Sequence, residues 1–312
     1  MLKENAIGID IGGTNLRIAL VARDGKILER AQHPSRDSIL ETIASGIDAF
    51  RDKDTAGIGI ASAGLIDRKQ GTVLVSPNLP GVEGIRFRAL LEEKYHIPVF
   101  IENDANLAAL GEKFVGAGKD FTSFILMTLG TGIGGGIVHN NRLLDIPAEI
   151  GHMVVEPGGL KCSCGNTGCL EEYAAAKALV SSALTLLEKG QESTLRSCCE
   201  GSIYRITPQH IHEHALDGDS LSREVLRSAG RYLGIGISNL TNIFNPEAFI
   251  LTGGLAHAWD FYIEEALREA EKRAMKGLFR KDSVLRSAIS EDAGLIGAAL
   301  YALHAVAGYP ES

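Results

Sequence analysis

With 312 residues, 45% of them hydrophobic and 22% charged, the chain has the balance of a folded globular protein with room for two cores, which excludes a disordered or low-complexity polypeptide. A formal net charge of −8 and the lack of any Lys/Arg run exclude a sequence-independent grip on nucleic acid, which depends on clustered cations releasing counterions from phosphates. No apolar run approaches the ~20 residues of a membrane-spanning helix, and Met1 to Asn5 carry no signal-peptide pattern, so a cytoplasmic location is expected.

In chain order, Ala6 to Asp10 reads as a strand, Ile11 to Asn15 as a glycine-bearing turn and Leu16 to Val21 as a returning strand, with Asp24-Gly25 as the next hairpin signal. A helix is predicted over Ser38 to Phe50, a buried strand over Ala56 to Ile60, and a turn and strand over Asp67 to Leu74. Val99 to Asn103 is a strand leading into a helix from about Asp104 to Phe114, which Gly116 and Gly118 end. Phe121 to Thr128 is then a strand, Gly130 to Gly136 a second glycine turn, and Ile137 and Val138 a strand again.

Helices are predicted over Leu170 to Leu187, Pro208 to Leu216, Ser220 to Asn242, Asp260 to Lys276 and Ala293 to Ala307. Ala248 to Leu251 is a strand ending at Gly253-Gly254, and the polar stretch Glu188 to Ser202 reads as a variable surface connection. The strand, glycine turn, strand unit is used twice, so two turns rich in backbone N–H groups are expected to hold one polyphosphate between them. This resembles the actin-like ATPase clamp: an α/β protein of two ribonuclease H-like domains flanking a central cleft. The expected division is a smaller domain of 1–116 plus about 294–312, with the first phosphate loop, and a larger one of 117–293, with the second.

Three groups of residues carry chemistry. Asp10, Gly12, Gly13 and Thr14 form DIGGT, in which glycine lets the backbone approach phosphate oxygens, Thr14 offers a hydroxyl and Asp10 is a candidate Mg²⁺ partner. Gly130, Thr131 and Gly132 open the second turn; a dinucleotide-fold reading fails because that turn leads into a strand and not a helix. In Glu102-Asn103-Asp104, Asp104 stands at a helix N-terminus whose field keeps a carboxylate ionised, as a general base must be, while Asn or Asp is also a favoured helix cap.

His152, Cys162, Cys164 and Cys169 supply one nitrogen and three sulfurs, a closed tetrahedral set of the structural Zn²⁺ kind with no open position for a reactive water. Zinc on one ring nitrogen of His152 would fix the direction of the other. Cys198 and Cys199 read as ordinary free thiols, since adjacent cysteines rarely bridge each other. His210, His212 and His214 are not read as a metal site, because no cysteine or carboxylate in the sequence completes a shell for them.

On DIGGT, END at Glu102 to Asp104, GTGIGGG at Gly130 to Gly136, EIGH at Glu149 to His152, CSCGNTGCLE at Cys162 to Glu171 and LTGG at Leu251 to Gly254, the chain resembles the ROK family of repressors, open reading frames and sugar kinases from Asp10 to its last helix. The resemblance implies MgATP-dependent phosphorylation of a hexose, with Asp104 deprotonating the sugar 6-hydroxyl and Asn103, Glu149, His152 and Glu171 binding ring hydroxyls. It further implies that Gly64 and Asn78 line the sugar pocket, that Gly253 and Gly254 lie under the nucleotide, that a structural Zn²⁺ is present, and that the protein assembles as a homodimer or homotetramer.

Glucose is the implied sugar, since SPNLPG, END and GCLE look most like the glucokinase branch. The chain departs from the family pattern at Ala63-Gly64 for a usual Pro-Gly, at Val82 for a usual Trp, and in a short, glycine-free run Leu143 to Ala148. N-acetylmannosamine or N-acetylglucosamine is therefore the alternative substrate. A sugar-sensing repressor is the alternative class, disfavoured because DIGGT begins too near Met1 for a preceding helix-turn-helix. An actin-like filament protein would not explain EIGH with the cysteine cluster.

Overall fold

The computed structural model describes residues 3–35, 38–76, 79 and 81–308, the side chain of Glu200 excepted. The chain divides into two compact units, one of Met1–Leu126, Gly136–Pro147 and Ser287–Ser312, the other of Met127–Gly135 and Ala148–Arg286. Relative to the division expected from sequence, 117–126, 136–147 and 287–293 fall with the first unit.

The elements are β1 (Asn5–Ile11), β2 (Asn15–Ala22), β3 (Ile27–Pro34), α1 (Ile39–Phe50), β4 (Thr55–Ser62), β5 (Leu65–Asp67), β6 (Thr72–Val75), α2 (Phe87–Tyr95), β7 (Val99–Asn103) and α3 (Asp104–Val115). They continue as β8 (Phe124–Leu129), β9 (Ile133–His139), β10 (Arg142–Leu143), α4 (Glu171–Ala174), α5 (Ala176–Glu188), α6 (Pro208–Leu216), α7 (Ser220–Phe244), β11 (Ala248–Thr252), α8 (Glu264–Arg273), β12 (Val284–Arg286) and α9 (Ala293–Val306). Among the described residues no helix is long and apolar enough to cross a membrane.

The twofold use of one motif is visible in the sheets. One runs β3-β2-β1-β4-β7 and the other β10-β9-β8-β11-β12. Numbered within its own sheet, each has the order third, second, first, fourth, fifth. In the first, β1 to β3 are antiparallel, whereas β4 lies parallel to β1 and β7 parallel to β4.

Side-chain alternation decides what covers each face of the first sheet. Ile7, Ile9 and Ile11 of β1 and Ile58 and Ile60 of β4 pack with Ile43 and Ile47 of α1 and Phe87 and Leu91 of α2, all buried. Each such side chain contributes roughly 1.5–3 kcal/mol by leaving water. The opposite face carries Gly8 and Gly59, where a Cβ would collide with the carbonyls of Leu295 and Ala298, so α9 lies directly on the sheet backbone. Helix α9 is buried from Ala293 to Leu303 except at Gly294, consistent with its being apolar all round.

The structure corrects the sequence reading in several places. The second glycine turn ends at Gly132, because Gly134 to Gly136 already belong to β9. Gly136 is small because a Cβ there would press on the Ala105 carbonyl of α3, a packing need and not a turn. The helix expected over Leu170 to Leu187 breaks at Ala175, which is extended, and Ala176 N–H bonds the Gly130 carbonyl at 2.9 Å. The helix expected from Asp260 starts with a π turn over Trp259–Ile263 and ends at Arg273. The nine-residue α2 and three-residue β12 are too short to leave a periodicity that identifies them.

Candidate active site

In the first unit, β1 delivers Asp10 to its C-terminal end, and Gly12 and Thr14 in the following turn are held by Ser35, whose hydroxyl donates to the Gly12 carbonyl at 2.6 Å and whose N–H donates to the Thr14 carbonyl at 3.1 Å. Gly13 and Thr14 are exposed, so the turn presents its backbone outward. Asp10 is 7% exposed and pairs with Arg17, its cross-strand neighbour on β2. Burial raises the Asp10 carboxyl above its ordinary range, and Arg17 works against that. Arg17 also donates to the Glu291 carbonyl at 2.7 Å and lies 3.7 Å from Asp292.

At the end of β7, Asn103 caps α3, its side-chain oxygen accepting from the N–H groups of Ala105 at 2.9 Å and Asn106 at 3.2 Å. Asp104 is thereby the first residue of the helix, half-buried, with its carboxylate also accepting from Ala105 N–H at 2.8 Å. The Asn103 amide donates to the Gly64 carbonyl at 3.2 Å. Gly64 has φ 112°, and a Cβ there would strike the Val75 carbonyl. Asn78 lies outside the described residues. A Cβ placed on Gly294 would be 3.6 Å from Asp10 Oδ2 and 3.7 Å from the Asp104 carbonyl, so the Asp10 carboxylate and the backbone of Asp104 lie around one spot.

Glu102, 2% exposed, lies beneath this turn and accepts from Asn103 N–H at 2.6 Å and from the Asn106 amide at 3.1 Å. It is ion-paired to Arg68, which reaches Asp145 at 2.6 Å, so the short run before Glu149 is tied to the END turn. Burial raises the Glu102 carboxyl, and the Arg68 guanidinium opposes that most strongly. Removing one partner of a buried pair costs about 3–5 kcal/mol because the other is left as an isolated charge. Arg68→Met is therefore expected to lower stability most where Glu102 must be ionised. In the unfolded chain Glu102 titrates in the ordinary carboxylate range, so the loss should grow as pH rises through its raised folded pKa; melting curves of wild type and variant at pH 5 and pH 8 check this.

In the second unit, Gly130 N–H bonds the Gly132 carbonyl at 3.0 Å, closing the turn between β8 and β9. Gly253, at φ 91°, follows β11 so closely that a Cβ would lie 2.5 Å from the Leu129 carbonyl, while Gly254 faces open space. The two glycine segments thus adjoin. Glu171 accepts from Ile133 N–H at 3.0 Å, and Lys177 bridges Glu171 at 2.8 Å and Glu172 at 2.9 Å. Burial pulls the Lys177 ammonium down, but its two carboxylate partners outweigh that and hold it above its ordinary value.

His152, Cys162, Cys164 and Cys169 converge, each offering a ligand atom within 4.8 Å of the others. A small knuckle sets this up: Lys161 bridges Thr167, Cys162 N–H bonds the Asn166 carbonyl at 2.8 Å, and Gly165 and Gly168 take φ of 92° and 79°. With Zn–S near 2.3 Å and Zn–N near 2.0 Å, the edges of a tetrahedral shell are about 3.8 Å for S···S and 3.5 Å for S···N. Cys164 Sγ to Cys169 Sγ is 3.7 Å and Cys162 Sγ to His152 Nδ1 is 3.5 Å. The residues fit a Zn²⁺ ion. Burial, with the neighbouring thiols, pushes the Cys169 thiol up to about 12, a penalty that a divalent cation among the sulfurs removes. His152 Nε2 lies 3.9 Å from Glu149.

The sequence-predicted residues therefore gather within each unit: Asp10, Gly64, Asn103 and Asp104 in one, and the two glycine segments, Glu171 and the EIGH and cysteine residues in the other. Arg17, Ser35, Arg68, Asp145 and Lys177 were not foreseen; Ser35, Arg68 and Asp145 act through partners distant in sequence, Arg17 and Lys177 meet Asp10 and Glu171 only through the fold, and none stands in a motif. In the His210 segment, the structure brings Cys199 Sγ to 3.3 Å from His210 Nδ1.

The family model described as ROK family matches residues 6–305. A glucokinase of Thermotoga maritima is 35% identical over 312 residues, covering 96% of this chain and 97% of that protein. The crystal structure of a ROK family glucokinase from Streptomyces griseus in complex with glucose and AMPPNP superposes with a TM-score of 0.80 at 33% identity, covering 95% of this chain and 98% of that one. A xylose repressor of Bacillus subtilis is 32% identical over 306 residues, covering 94% of this chain and 75% of that protein.

Proposed function

The chain belongs to the ROK family, with its actin-like ATPase fold, and on that premise we propose that it is an ATP-dependent hexose kinase that transfers the γ-phosphate of ATP to the 6-hydroxyl of glucose. The observation that carries the reading is the END turn, where Asn103 takes over the capping of α3 and so leaves Asp104 as the carboxylate at the positive end of the helix. The overall change is ATP plus hexose to ADP, hexose 6-phosphate and a proton. Asp104 accepts that proton from the 6-hydroxyl as its oxygen attacks the γ-phosphorus, and the bond from the β-γ bridging oxygen to phosphorus breaks.

The exposed Gly12 to Thr14 turn, the Gly130 to Gly132 turn and Gly253-Gly254 are proposed to receive the nucleotide's phosphates on backbone N–H groups. Asp10 has Oδ2 engaged by Arg17, which favours an indirect, water-bridged role toward Mg²⁺. Asn103, Glu149, His152 and Glu171 are proposed to bind ring hydroxyls, with Gly64 and Asn78 shaping the pocket. Zn²⁺ on Cys162, Cys164, Cys169 and His152 Nδ1 would leave the His152 proton on Nε2, the nitrogen nearer Glu149, as a directed donor. Glu171 reaches a sugar only while still holding Ile133 N–H and Lys177, so its role combines binding with bracing the second glycine turn.

Turnover with MgATP on glucose, mannose, fructose, N-acetylmannosamine and N-acetylglucosamine tests the proposal, with the highest kcat/KM expected on glucose. A preference for either N-acetyl sugar would transfer the assignment to that substrate. Absence of turnover on all five contradicts the kinase reading.

A further inference from the structure

The stretch between α5 and α6 folds as three short 3-10 turns, Thr194–Ser197, Cys199–Gly201 and Ile203–Arg205, and carries two cysteines that the proposed kinase chemistry does not use. Neighbouring side chains on an extended backbone point to opposite faces. Here Cys199 takes a left-handed conformation at φ 54°, and both sulfurs turn to the same side, with Cys198 Sγ and Cys199 Sγ 2.8 Å apart. Cys199 Sγ is 3.3 Å from His210 Nδ1 and 3.4 Å from the Arg205 carbonyl. One ligand atom from each of Cys198, Cys199 and His210 lies within 4.8 Å of the other two, and all three residues are half-buried.

Both sulfurs therefore face His210 together, and a cation held by both would open their separation toward the about 3.8 Å edge of a tetrahedral shell. A disulfide fits poorly, because consecutive Cα atoms across a trans peptide are about 3.8 Å apart while disulfides span about 4.4–6.8 Å. No peptide bond among the described residues is cis. A disulfide would also leave the convergence of His210 unexplained. That residue stands at the third position of α6, placed there by Thr207, whose hydroxyl caps the helix at the His210 N–H.

We propose that Cys198, Cys199 and His210 form a second site for a thiophilic divalent cation of the Zn²⁺ class, separate from the His152 cluster. Two thiolates and one imidazole are the ligands, and the fourth position is open to water. Binding releases the two thiol protons and replaces the bond that His210 Nδ1 accepts from Thr207 N–H at 3.3 Å. The ion pins the connection after α5 to the first turn of α6.

The test is a Zn²⁺ titration against a competing chromophoric chelator, with a phosphine reductant keeping all thiols reduced. It compares the full-length wild type with the double variants Cys198→Ser/Cys199→Ser and Cys162→Ser/Cys164→Ser. The expected result is that Cys198→Ser/Cys199→Ser binds one equivalent fewer than wild type while its kinase turnover is unchanged. His210→Ala should weaken that same equivalent by at least about tenfold. The equivalent lost in Cys162→Ser/Cys164→Ser reports on the other site, so the two assignments fail independently. A Cys198→Ser/Cys199→Ser protein that binds as much Zn²⁺ as wild type overturns the proposal.

Discussion

Asp104→Asn is expected to lower turnover by at least about 10²-fold, the low end for loss of a general base, while the fold and metal content persist. The substitution keeps the side chain's size and an oxygen that can still accept from Ala105 N–H, now 2.8 Å from the carboxylate. The cap itself belongs to Asn103, which holds the N–H groups of Ala105 and Asn106. What is lost is the negative charge in the first turn of α3, worth about 0.3–1 kcal/mol of stability, and the basicity that takes the hydroxyl proton. Steady-state kinetics beside a melting curve separate the two. Near-normal turnover in a folded Asp104→Asn protein would remove Asp104 from the reaction.

The second large effect is expected at Cys169. Its side chain is fully buried and 3.7 Å from Cys164 Sγ, at one edge of the proposed metal-ligand set. Cys169→Ser should release the ion and raise the sugar KM by about 10–100-fold, the range seen when groups that orient a metal ligand are lost. The KM for ATP should move far less, because among the described residues the turns proposed to bind phosphate, Gly12 to Thr14 and Gly130 to Gly132, take no bond from the cysteine loop. Metal content and the two KM values check this together. A metal-free variant with unchanged sugar KM contradicts the idea that the ion aims His152.

How much of this was legible in the sequence depends on how local the cause is. The duplicated strand, glycine turn, strand unit is written in consecutive residues, and it reappears as two sheets of identical strand order. The convergence of His152, Cys162, Cys164 and Cys169 was legible for the same reason, since the glycines that turn the knuckle lie between the cysteines. Asp104 was legible as a helix start, but which of Asn103 and Asp104 caps the helix was not, because both residue types suit the position.

Long-range partners left no such trace. Arg17 is one arginine among others until β1 and β2 pair and set it opposite Asp10. Arg68 joins Glu102 to Asp145 across intervals that no periodicity spans. The short run before Glu149 departs from the family pattern, and its anchoring through Asp145 appears only in three dimensions. Gly134 to Gly136 mislead for the converse reason: glycine marks both a turn and a close backbone approach, and the close approach of α3 decides at Gly136. For the three histidines at 210, 212 and 214 no cysteine or carboxylate in the sequence completes a shell, and the short turns that bring Cys199 Sγ to 3.3 Å from His210 Nδ1 carry no periodicity that would show it.

The central claim is sugar phosphorylation with Asp104 as base, and the most direct measurement follows both products in one sample. Wild type and Asp104→Asn are incubated with MgATP and ¹³C-labelled glucose, and phosphorus and carbon NMR record ADP and the phosphorylated carbon. The account predicts one glucose 6-phosphate per ADP in wild type, phosphorylated at C6 alone, and almost none in the variant. Glucose that binds but stays unphosphorylated in wild type, or equal product in both proteins, would contradict it.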